Sequence, residues 1–179
     1  MIRNKHMFDT GKGGGMERIK MSVRQLVEFV LRGGDIDNRY GGIERAVEGS
    51  RIHRRLQKSA GAGYRAEVAL SIEHHTSEYD FAVEGRADGV FTDKGVTVID
   101  EIKTTAVPLE NIDEYYNRMH WAQGMCYAYL LAVRENLTQA AVRLTYFHIE
   151  TEEIKRFQRH FSLEELAGFF EELTEGYRQ

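Results

Sequence analysis

Glu101 and Lys103 stand in the run Val98-Ile99-Asp100-Glu101-Ile102-Lys103-Thr104, whose branched apolar residues read as a strand. Side chains alternate along a strand, so Glu101 and Lys103 share one face while Asp100 and Ile102 share the other. A second run, Val83-Glu84-Gly85-Arg86-Ala87-Asp88, precedes it across a tight turn at residues 93–95. Antiparallel pairing of the two brings Asp88 beside Glu101 and Lys103. Two carboxylates and an ammonium then converge. Such a set suits phosphodiester hydrolysis, in which attacking water must lose a proton and the leaving oxygen must carry charge. A divalent metal helps with both. Carboxylates hold a hard cation such as magnesium, and a nearby lysine orients water and offsets phosphate charge.

Each of these residues also has a plainer role. Asp88 could open a turn, Gly85 could mark a bulge, and alternating charge is common on solvated strands. Asp100, on the opposite face, suits a structural partnership with an arginine and is left out of the site.

The elements that must position this set follow from periodicity. Ser22 and Gln25 form a capping-box pattern ahead of Val23, Leu26, Val27, Val30 and Leu31, and Gly33 and Gly34 stop that helix. A second helix is expected at 43–58, with Ala46, Gly49, Ser50 and His53 inward. Strands at 64–73, 79–91 and 95–103 make a meander. A long helix follows at 112–133, with Ile112, Tyr115, Met119, Ala122, Cys126 and Leu130 as one buried stripe. A strand at 141–150 returns parallel to 95–103. A basic strand through His160 and a helix capped by Ser162 and Glu165 close the chain. The expected architecture is α/β: a mixed central sheet of four or five strands, an α-β-β-β-α-β core, flanked by helices.

Composition bounds the function. The chain has 179 residues, 42% of them hydrophobic and 29% charged, which suits one folded domain. Residues 1–20, rich in glycine and charge, read as a flexible tail or leader, and 21–179 as the domain. No apolar run reaches the roughly 18–20 residues of a membrane span, and the start lacks a signal-peptide layout, so a cytoplasmic location without membrane association is expected. The lone Cys126 cannot supply a four-thiolate cluster, so any metal must rest on oxygen and imidazole. A net charge of -4 argues against coating nucleic acid by bulk electrostatics. Local basic patches or a partner must hold any DNA.

The order Gly49…His53, Gly85-x-x-Asp88, Glu101-x-Lys103 and Gln123-x-x-x-Tyr127 resembles the RecB-like branch of the PD-(D/E)XK nuclease superfamily, over residues 43–150. The resemblance implies a restriction-endonuclease-like fold and a Mg²⁺- or Mn²⁺-dependent deoxyribonuclease with one or two ions. It implies metal ligation by His53, Asp88, Glu101 and the Ile102 carbonyl. Lys103 would position water, with Gln123 and Tyr127, one helical turn apart, serving substrate or lysine. Some relatives carry a four-cysteine cluster; this chain lacks it, and no iron–sulfur cluster is expected.

The first helix and residues 49–55 also resemble the nuclease module that precedes DinG-like, XPD-type helicases in some bacterial proteins. That likeness implies an exonuclease of DNA repair, recombination or processing, coupled to a helicase domain or subunit. Single-stranded DNA or duplex ends would be its substrate, and a homo-oligomer is a further expected arrangement. Arg51, Arg54, Arg55 and Lys58 are candidate phosphate contacts, as are Lys155, Arg156 and Arg159, although charged faces are often only solvated. The rival readings are a catalytically silent DNA-binding or scaffolding module of a helicase, and a metal-dependent hydrolase of a small phosphorylated molecule.

Overall fold

The computed structural model describes residues 17–32, 43–75 and 79–178. The tail at 1–16, the glycine stop at 33–34 and the side chain of Ala46 lie outside the described residues. The element order is β1 (Glu17–Ser22), α1 (Val23–Leu31), α2 (Ile43–Ser59), β2 (Arg65–His75), β3 (Tyr79–Asp93), β4 (Val96–Thr105), α3 (Arg118–Glu135), β5 (Gln139–His148), β6 (Ile154–Ser162) and α4 (Leu163–Arg178). Both expected capping boxes form. Ser22 Oγ accepts from the Gln25 amide at 3.0 Å while the Ser22 amide donates to Gln25 Oε1 at 2.9 Å. Ser162 and Glu165 exchange the same two bonds at 3.1 and 2.7 Å ahead of α4.

The sheet has six strands instead of four or five. The extra strand is β1, which takes in residues 17–20, assigned to the tail by composition. It pairs parallel with the first part of β3, from Glu17 with Tyr79 to Ser22 with Glu84. β2, β3 and β4 form the expected antiparallel meander, β4 and β5 are parallel around α3, and β6 closes antiparallel on β5.

β3 thus divides one of its edges between two partners. β1 occupies residues 79–84, and β4 begins only at the pair Gly89 and Asp100. Among the described residues, 85–88 pair with neither strand on that edge. The sheet opens there.

The main core lies between one sheet face and α1, α3 and α4. Ile99, Val142, Leu144 and Tyr146 line the sheet side, and Leu26, Cys126, Leu130, Leu166 and Phe170 face them. α3 is buried nearly all round, because Trp121, Ala122, Gly124, Tyr127, Ala128, Leu131 and Ala132 are covered as well as Cys126 and Leu130. An all-round apolar helix belongs inside a domain, not on its surface. On the opposite sheet face lies α2. Its Arg55 guanidinium stands 5.1 Å from the Phe147 ring, and a Cβ on Gly49 would be 3.7 Å from Thr104 Oγ1.

Two expectations about α3 are corrected. It starts at Arg118, not at 112, and Tyr115 is 77% exposed instead of part of the stripe. The preceding segment is held by competing bonds. Asp113 Oδ1 accepts from the Tyr115 amide, Asn117 Oδ1 caps the Met119 amide, and Trp121 Nε1 donates to the Glu114 carbonyl at 2.6 Å. Short polar side chains bonding nearby backbone offer the chain an alternative to helix.

Asp100 is 3% exposed and forms the buried polar knot of the α2 face. It accepts from Tyr64 Oη at 2.7 Å, Thr145 Oγ1 at 2.7 Å and, through both oxygens, Arg143 at 3.1 and 3.0 Å. Tyr64 reaches it across β3 at Gly89, where a Cβ would overlap the tyrosine ring. Among the described residues, no helix is long and apolar enough to cross a membrane.

Candidate active site

Where β3 and β4 part, groups from both sheet faces meet in one cavity of about 420 Å³. His53 of α2, Asp88 of β3, Glu101, Ile102 and Lys103 of β4, and Gln123 and Tyr127 of α3 all line it. Arg24 and Glu28 of α1, Arg32 at its C-cap, and Arg86, Asn117, Met119 and His120 complete the wall.

The gap is stabilised by the residues it presents. Asp88 Oδ2 accepts from the Ile102 amide at 2.7 Å, so a side chain supplies the bond that β3 backbone has ceased to make. Asp88 Oδ1 lies 3.3 Å from His53 Nδ1. Gln57, one turn beyond His53 on α2, donates from Nε2 to the Asp88 carbonyl at 2.9 Å and to Glu67 Oε1 at 2.8 Å. Backbone and side chain of Asp88 are therefore both tied to α2. Glu67 has a left-handed backbone, φ 53°, within β2. Such a backbone is uncommon for a non-glycine residue.

On the α3 side, Lys103 Nζ donates to Gln123 Oε1 at 2.6 Å and lies 3.4 Å from Glu101 Oε2. Tyr127 lies across β3 at Gly85, where a Cβ would stand 2.8 Å from the ring. Glycine is required at that crossing. Burial, then the charges of Glu101 and Asp88, push the Tyr127 pKa up, so the phenol stays protonated.

Glu101 is 4% exposed. Burial pushes its pKa up to about 8; Lys103 opposes this, while Asp88 and Asp100 add to it. Its charged form is thus unfavourable with Lys103 as the compensating cation.

That electrostatic deficit tests the fit of a metal. No three His, Cys, Asp or Glu among the described residues form a ready cage. The donors nevertheless suit a hard divalent cation: two carboxylates and an imidazole on one cavity, with one carboxylate buried at a cost that a cation would offset. Cys126, free and buried in α3, is not among the cavity's lining residues.

The candidate phosphate contacts on α2 do not line the cavity. Arg51, Arg54 and Lys58 are exposed, and Arg55 pairs with Glu152 at 3.0 Å. The alternation of β6 splits its basic cluster. Lys155 and Arg159 bond the segment before α3, at the Leu109 carbonyl and at Glu114, while Arg156 points to the other face. Arg24, Arg32, Arg86 and His120 were missed by sequence reasoning. For Arg24 and Arg32 a signal existed, since both stand on the polar side of a capped amphipathic helix.

An opened mixed sheet with an acid pair, a lysine and helical groups around the gap defines the class: a nuclease of restriction-endonuclease-like fold. Residues 17–179 match the model of the PD-(D/E)XK nuclease superfamily, and the chain belongs to that superfamily. Sequence comparison with curated proteins finds no match. Among solved structures the chain is similar to SSO0001, at 18% identity and a TM-score of 0.58, over 87% of this chain and 75% of that one. At that identity the likeness is one of fold. It is also similar to an alkaline exonuclease from Laribacter hongkongensis (14% identity, TM-score 0.45, 87% and 88% of the two chains). A phage-related exonuclease from Haemophilus somnus 129PT matches at 13% identity and a TM-score of 0.45, over 86% and 76% of the chains.

Proposed function

We propose that this domain is a Mg²⁺- or Mn²⁺-dependent deoxyribonuclease of RecB-like type that hydrolyses phosphodiester bonds at DNA ends as an exonuclease. The observation that carries the reading is the convergence of His53, Asp88, Glu101, Lys103, Gln123 and Tyr127, from α2, β3, β4 and α3, on one cavity. In this reading His53, Asp88, Glu101 and the Ile102 carbonyl hold one or two ions. A divalent cation held there would supply Lewis acidity, easing proton loss from attacking water and screening negative charge on the phosphoryl oxygens. Glu101 would hold the cation as its carboxylate. Lys103, fixed by Gln123, presents its ammonium to the phosphate and to the attacking water. The Tyr127 phenol, kept neutral, donates at the cavity wall.

The strand reaches this site past Arg24, Arg32 and Arg86, with the exposed Arg51, Arg54 and Lys58 of α2 as outer contacts. A polymer longer than the cavity makes use of such a spread; a small phosphorylated molecule does not. A silent scaffold gains nothing from burying Glu101 near a second carboxylate. The net charge of -4 leaves few phosphate contacts and weak DNA binding. Delivery by a linked or associated helicase, in repair, recombination or processing, or self-assembly around the strand, would raise the local DNA concentration to about the millimolar range.

End-labelled single-stranded and duplex DNA, incubated with and without Mg²⁺ or Mn²⁺, tests the reading. Metal-dependent release of short labelled products from ends is expected. Cleavage unaffected by a chelator, or turnover of small phosphate esters alone, would overturn it.

A further inference from the structure

His120 lies one turn before Gln123 on α3 and lines the same cavity, beside Lys103. Its Nδ1 is 2.9 Å from the hydroxyl of Tyr146, a residue 1% exposed. Burial pushes the Tyr146 pKa up, so that hydroxyl keeps its proton. Among the described residues, His120 is its one hydrogen-bond partner.

The direction of this bond follows by elimination. If Nδ1–H donated to the phenol oxygen, the Tyr146 proton would have no acceptor among the described residues. If the hydroxyl donates to Nδ1, every group is used. A buried donor left unmade is costly, so the second arrangement is favoured. The imidazole proton is then on Nε2. That nitrogen has no protein partner among the described residues, yet no buried side-chain nitrogen there lacks one. Nε2 therefore opens to the cavity. Burial, and then Lys103, pull the His120 pKa down to about 3, so the tautomer persists through neutral pH.

We propose that His120 is a substrate-binding residue of this nuclease, donating its Nε2–H to a non-bridging phosphoryl oxygen, with Tyr146 as the positioning residue that sets its tautomer. The inference rests on the nuclease reading above. An uncharged donor contacts the phosphate without adding a positive charge to compete with a cation for Asp88 and Glu101. It complements the Lys103 ammonium, which is already shared with Gln123 and Glu101.

Two measurements test this. Long-range ¹⁵N–¹H NMR of metal-free protein should show His120 Nδ1 unprotonated and Nε2 carrying the proton. A 5′-phosphorylated single-stranded oligodeoxynucleotide should shift that Nε2–H signal. In cleavage assays, His120→Leu should lower kcat/KM by about ten- to hundred-fold, the range of one hydrogen bond to a charged group. His120→Gln, which retains a donor, should recover most of the loss. Tyr146→Phe, which keeps the ring, should fall between. Wild type and His120→Gln should share one pH profile between about pH 6 and pH 9, because a neutral donor adds no limb.

A proton on Nδ1, an Nε2–H signal that the oligonucleotide leaves unmoved, or wild-type cleavage by His120→Leu would each overturn the proposal. Retained cleavage by Glu101→Ala and Lys103→Ala would instead sink the nuclease-site reading. The NMR result decides the His120 assignment in either case.

Discussion

The Lys103 ammonium lies 2.6 Å from Gln123 Oε1 and 3.4 Å from Glu101 Oε2, so an amide from α3 shares the lysine with the buried acid of β4. A lysine has a long, freely rotating stem. Without Gln123, Glu101 alone among the described residues directs this ammonium.

Gln123→Ala should therefore lower single-turnover cleavage by about ten- to hundred-fold, the scale of one lost hydrogen bond to a charged group. Thermal stability should change little, because Gln123 is only partly buried and lines an open cavity. Rate and melting temperature measured on the same preparation check this. A large loss of stability with unchanged rate would assign Gln123 to structure alone.

Gly85→Ala should destabilise the fold by about 1–3 kcal/mol, the usual range for an added methyl in a close-packed place. The new Cβ would meet the Tyr127 ring at 2.8 Å. The penalty should be smaller in a Tyr127→Ala background, and a double-mutant cycle by urea unfolding measures the difference. Equal penalties in both backgrounds would mean that the ring is not what requires glycine.

Glu101 predicts the pH response of the metal-free protein. Its folded-state pKa is raised to about 8, above the ordinary carboxylate value. Between those two values the folded chain binds the proton more tightly than the unfolded chain, so this group's contribution to stability falls as pH rises. Glu101→Gln cannot ionise. Its melting temperature relative to wild type should therefore climb from about pH 5 to about pH 8 in chelator-treated buffer. The same proton must leave when a cation binds, so the apparent metal affinity of wild type should increase over that interval. A constant difference between the two melting curves would show that Glu101 does not carry the proton.

Much of this site was legible because its signals are local. Strand alternation separates Glu101 and Lys103 from Asp100, and the Asp100 partnership with Arg143 follows from the same alternation. The capping boxes at Ser22 and Ser162 are four-residue patterns with fixed geometry. What escaped depends on distant chain. β1 is six residues long and parallel to β3, so its only support is non-local, although Arg18, Ile19, Lys20 and Met21 do alternate polar and apolar. At the onset of α3, Arg159 of β6 holds Glu114 from distant chain, in addition to the local bonds at Asp113, Asn117 and Trp121. His120 carried no pattern of its own. Its importance rests on Tyr146, twenty-six residues away, whose hydroxyl it meets across the core.

The most direct test is cleavage of end-labelled DNA by wild type and by Asp88→Ala, Glu101→Ala and Lys103→Ala, each titrated with Mg²⁺ and with Mn²⁺. The site geometry predicts activity only with added metal and near-complete loss in all three variants. The two carboxylate variants should bind metal more weakly, and Lys103→Ala should bind it as wild type does. His53→Ala should keep partial activity that high Mn²⁺ restores, since one imidazole among several ligands is replaceable by mass action. Undiminished, metal-dependent cleavage by Glu101→Ala would contradict the assignment of the active site.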